Sequence, residues 1–146
     1  MSGREAGSDA VQWEEARRWF AQADDDIRVA WACLAAAPPI VGAAALHCQQ
    51  AAEKTLKGLL IAARQKTGKT HNLGELTTAV AAQYAPFRDD LDWLRELTEW
   101  YLGMRYPDIE IERPPAAAAV STALESVSRL LERARSLDPT RTATPK

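Results

Sequence analysis

From Trp13 the apolar residues Trp13, Ala16, Phe20, Ala23, Ile27, Ala30 and Leu34 recur in steps of three and four, the spacing that lines one side of an α-helix. Pro38 and Pro39 must end that helix, because proline has no N–H to donate and pushes the preceding residue out of helical geometry. Ala45, Cys48, Ala52, Leu56, Leu59 and Ala63 repeat the spacing and predict a second helix from about Val41 to Gln65, its end marked by Lys66-Thr67-Gly68-Lys69. Asn72 and Glu75 have capping-box spacing and predict a third helix from Leu73 to about Tyr84.

Beyond Pro86 the pattern predicts a fourth helix, Phe87 to Arg105, apolar on two stripes: Leu94, Thr98 and Tyr101 on one, and Trp93, Leu97, Trp100 and Met104 on the other. A fifth, Pro115 to Leu137, carries Val120, Leu124, Val127, Leu131 and Ala134 on one side. Only Asp108–Glu112 alternates with period two, too short a run to found a sheet and with no second strand to pair with. The class is therefore all-α, an up-and-down bundle of four to five antiparallel helices.

At 146 residues the chain can bury one core without staples. The expected domain is residues 9–137, with flexible tails at 1–8 and 138–146, the latter polar and proline-containing. Acidic and basic residues nearly balance, for a net charge of -2, so no broad phosphate-binding surface is advertised. Cys33 and Cys48 lie in apolar helical stretches, as reduced core thiols do. No run reaches the roughly 18 apolar residues of a membrane span, and the N-terminus lacks a signal-peptide core, so cytoplasmic residence is expected. His47 and His71 have no ligand partner at helical spacing, and the glycines form no phosphate loop; neither metal nor cofactor is expected.

Three segments, ALHCQQAAEKTLKGLLIA (Ala45–Ala62), THNLGEL (Thr70–Leu76) and WYLGMRYPD (Trp100–Asp108), resemble the HEPN family in residue, order and spacing. The resemblance implies a dimeric bundle of four to five helices. It further implies a nucleotide- or partner-binding role beside a minimal nucleotidyltransferase, sometimes as toxin and antitoxin, and many members cut RNA. The ribonucleases of that family pair an Arg with a His separated from it by four to six residues. Arg105 matches the Arg, whereas the positions for the His hold Glu110, Ile111 and Glu112. A carboxylate ionised at neutral pH donates a proton poorly to a leaving alkoxide.

Arg105 is either a cation at the negative end of a helix dipole or an anion-binding fork aimed by Tyr106, Pro107 and Asp108. His47, Gln50, Lys54 and Lys57 follow one another in steps of three, four and three and share one side of the second helix. That stripe is either solvated or a set of donors for a phosphate-bearing ligand. His71 adjoins a helix start, where capping accounts for a polar residue. Trp93, Leu97, Trp100 and Met104 form the expected homodimer interface. Two functions follow. One is a dimeric binding module for a nucleotide or a minimal nucleotidyltransferase. The other is a metal-independent RNase toxin of a toxin–antitoxin pair, with Arg105 stabilising phosphate charge and His47 or Tyr106 replacing the missing His.

Overall fold

A computed structural model describes residues 3–98, 100 and 115–141. Among them every regular element is helical: α1 (Gly3–Ala35), α2 (Val41–Ala62), α3 (Leu73–Gln83), short 3₁₀ turns at Ala85–Phe87 and Asp92–Glu96, and α4 (Ala117–Ser136). The all-α bundle is thus observed, α4 being the fifth helix of the periodicity argument. No helix among the described residues is long and apolar enough to cross a membrane.

The stripe of α1 is buried as its spacing requires, with Ala16, Phe20, Ala23, Ile27 and Ala30 in the core. Contacts run from Asp9 with Arg64, through Phe20 with Gly58, to Asp26 with His47 and Lys54, low numbers meeting high, so α1 and α2 are antiparallel. Arg17 with Asp138 and Arg135 with Asp24 make α4 antiparallel to α1 as well. Small residues let the backbones approach: a Cβ on Gly58 would stand 2.6 Å from Phe20 Cε1.

Several boundaries differ from expectation for local reasons. Helix α2 ends at Ala62, three residues early, because Arg64 adopts φ 61 and the chain closes with Gln65 N–H on the Leu60 carbonyl and Arg64 N–H on that of Ile61. This is a Schellman end with arginine where glycine is usual. The Arg64 guanidinium meets Asp9 at 2.6 Å. At α3 the Asn72 side chain accepts from Glu75 N–H at 3.2 Å, but the Glu75 carboxylate takes the Thr70 hydroxyl, and it is this hydroxyl that receives Asn72 N–H.

The expected fourth helix is corrected over Phe87–Glu96, where turns and 3₁₀ geometry replace a continuous α-helix and helix resumes at Leu97. A 3₁₀ turn repeats every three residues. Leu91, Leu94 and Leu97, spaced by three, accordingly all turn into the core. Leu97 is therefore not an outward interface residue, whereas Trp93 and Trp100 are only partly buried. At the other end the folded body runs past Leu137 to Arg141. Asp138, expected in a flexible tail, is buried and held by Arg17 at 2.7 Å.

Candidate functional site

One edge of the α1–α2 pair collects paired charge. Asp26 lies three residues after Ala23 and four before Ala30, so the α1 stripe carries its carboxylate into the interface, where it is 7% exposed. Its Oδ1 is 2.9 Å from His47 Nδ1 and its Oδ2 accepts from Lys54 Nζ at 2.7 Å. His47 and Lys54 are seven residues apart, two helical turns, which is why one carboxylate receives both.

A second cluster repeats this composition. Glu53, equally buried, has Oε1 2.8 Å from His71 Nδ1 and Oε2 3.4 Å from Lys57 Nζ. The Lys57 ammonium also lies 5.9 Å from the centroid of Trp19, a cation–π contact. Trp19 precedes Asp26 by seven residues, so both clusters occupy the same edge of α1. Each buried carboxylate is thus bridged by one histidine and one lysine, which offsets the cost of removing its charge from water.

A carboxylate only accepts, so the ring proton on that side of a neutral His47 belongs to Nδ1, which leaves Nε2 with its lone pair. The His47 side chain keeps 30% of its surface exposed. A carboxylate-oriented imidazole whose Nε2 keeps its lone pair can accept a proton or a hydrogen bond from a ligand.

The sequence-derived stripe divides here. His47, Gln50 and Lys54 are half-buried at the edge, while Lys57 is buried at 6% exposure and committed to Glu53. Arg105, Tyr106, Asp108 and Met104 lie outside the described residues. Trp93 and Trp100 border a groove of about 370 Å³ against Ala119, Thr122 and Ala123 of α4.

Sequence reasoning missed Asp26 and Glu53, although signals existed. Asp26 has core-stripe spacing, and Glu53 stands four residues before Lys57, the favourable order for a helical ion pair. Consecutive Asp24, Asp25 and Asp26 point in different directions, as helix geometry demands, and reach Arg135, Arg28 and the His47–Lys54 pair respectively. Gln49, also unflagged, is fully buried with neither side-chain amide atom hydrogen-bonded.

Other reactive groups are quenched. Burial pushes the Cys48 thiol up to about 12, and the Tyr84 phenol likewise to about 12. The Tyr84 hydroxyl donates to the Leu59 carbonyl at 2.7 Å. Among the described residues no group of three or more His, Cys, Asp or Glu could hold a metal ion.

A family model described as HEPN domain matches residues 16–137. No curated protein matches the chain, and no solved structure does.

Proposed function

The chain belongs to the HEPN domain family, and from that premise we propose that it is a homodimeric module that binds a nucleotide or a minimal nucleotidyltransferase partner rather than a ribonuclease. The supporting observation is where its histidines stand. Positions 110–112 hold Glu, Ile and Glu, and both His47 and His71 have Nδ1 on a buried carboxylate, Asp26 of α1 for the first and Glu53 of α2 for the second. Arg105 supplies a guanidinium fork for phosphate. Gln50 and Lys54 add donors and His47 Nε2 an acceptor along a partly exposed helix edge, and Trp93 and Trp100 offer the aromatic surface that suits a second copy.

Calorimetric titration with adenine nucleotides tests this. Arg105→Ala and Lys54→Ala each weaken binding roughly ten- to a hundredfold, the loss of one charged hydrogen-bond pair at about 1.5 to 3 kcal/mol. Unchanged affinity in both variants returns these residues to structural roles.

The His47–Asp26 contact favours a second reading. An imidazole oriented by a buried carboxylate is a general-base arrangement, so His47 would replace the missing histidine in a metal-independent RNase toxin. Rapid RNA cleavage that resists chelator and is abolished by both Arg105→Ala and His47→Ala decides for the enzyme. Slow or absent cleavage decides for the binding module.

A further inference from the structure

Arg17 stands nine residues, two and a half turns, before Asp26 and so faces away from the His47 edge of α1. On its side a cleft of about 340 Å³ separates the middle of α1 from the end of α4 and is lined by Arg17, Phe20, Arg135, Asp138 and Arg141. We propose that this cleft binds the phosphoryl group of a small phosphorylated molecule.

Three of the five lining side chains are guanidiniums, and the single carboxylate among them is saturated from within. Asp138 Oδ2 accepts from Arg17 at 2.7 Å, while Oδ1 accepts the Thr140 N–H at 2.8 Å and its hydroxyl at 2.6 Å. That network fixes the segment after α4 against α1 and holds the Arg17 guanidinium at the cleft. Arg135 and Arg141 are tethered only by longer contacts: Arg135 to Glu132 at 3.4 Å and to Asp24 at 3.6 Å, and Arg141 to Glu132 at 3.8 Å. Partly exposed pairs of this kind contribute little, so an anion with several oxygens displaces them readily. A tetrahedral phosphoryl group presents oxygens in three directions, enough for the three guanidiniums that line the cleft, where a carboxylate presents two in one plane. The buried Phe20 ring also lines the cleft. The volume is at the small end for ligand pockets, about 300 to 1,000 Å³, and suits a phosphoryl group on a compact body, not a polymer.

The test titrates the full chain by calorimetry with pyrophosphate and with AMP, in wild type, Arg135→Ala/Arg141→Ala, Lys54→Ala and Arg28→Ala. Arg28 is an exposed α1 residue outside the cleft. Saturable wild-type binding is expected, weakened at least tenfold in the double variant and unchanged in Arg28→Ala. Binding of AMP tighter than that of pyrophosphate, lost in the double variant and kept in Lys54→Ala, assigns the organic body to the cleft, and equal affinities assign free phosphate. The proposal is overturned if neither anion binds at millimolar concentration. It is also overturned if Lys54→Ala abolishes binding while the double variant does not, an outcome that leaves the α2 edge as the ligand site.

Discussion

His47 Nδ1 and Asp26 Oδ1 lie 2.9 Å apart across the α1–α2 interface, and the same carboxylate holds Lys54 Nζ at 2.7 Å. Asp26→Ala removes the acceptor shared by His47 and the Lys54 ammonium, both partly buried, and should cost about 1.5 to 3 kcal/mol, against about 0.5 to 1.5 kcal/mol for His47→Ala, which leaves the lysine in place. Urea unfolding measures both. An equal or larger loss for His47→Ala would mean that the carboxylate is not the organising group.

Gly58→Ala tests the closeness of α1 and α2. Alanine gains about 1 kcal/mol in helix propensity. Its Cβ, however, would meet Phe20 Cε1 at 2.6 Å and the Ala16 carbonyl oxygen at 3.3 Å. Phe20 is enclosed in the core. Overpacking at about 1 to 3 kcal/mol should therefore win, and the urea midpoint should fall. A raised midpoint would show that the helices part without cost.

Asp138 links stability to acid. Burial alone would raise its pKa, but the Thr140 hydroxyl, the Arg17 guanidinium and the Thr140 N–H outweigh it and hold the carboxyl below the usual carboxylate value. A lowered folded value contributes stability that is fully present above the ordinary one, about 3.9, and fades as pH falls through the lowered one. Asp138→Asn should lose about 1 to 3 kcal/mol at neutral pH, and its difference from wild type should shrink below about pH 4. A difference constant from neutral to acid pH would exclude the ionised pair as its origin.

The two thiols should separate in labelling. Cys48 is buried with its thiol pushed up to about 12, whereas Cys33 is half-buried. Because the thiolate is the reactive form, a maleimide should modify Cys33 in the native protein and both residues only after denaturation. Native modification of Cys48 would indicate opening of the α2 face.

Leu97 and Trp100 should behave differently although the helical pattern groups them. Leu97→Ala deletes a core side chain and should cost about 2 to 5 kcal/mol. Trp100→Glu should instead reduce the mass in light scattering from a dimer to the 16.0 kDa chain. A wild-type protein that is already a monomer at micromolar concentration would remove the dimer proposal.

The helix class, the break at Pro38-Pro39 and the core faces of α1, α2 and α4 were legible in the sequence. Apolar spacing and proline geometry act locally, and the same residues that set the period bury it. The HEPN membership was legible too, in three short segments that all lie within the residues the family model matches. What only the tertiary structure decided is partnership. Asp26, Glu53 and Asp138 look like solvated charges in the chain, yet each is buried where a partner remote in sequence reaches it: His47 and Lys54 for the first, His71 for the second beside its helical neighbour Lys57, Arg17 for the third. Leu97 reads as outward on an α-helical wheel and turns inward because the preceding residues take a three-residue repeat. Periodicity reports which face of an element is apolar. Which charge meets which depends on how whole helices are brought together, and that is settled by packing across the bundle.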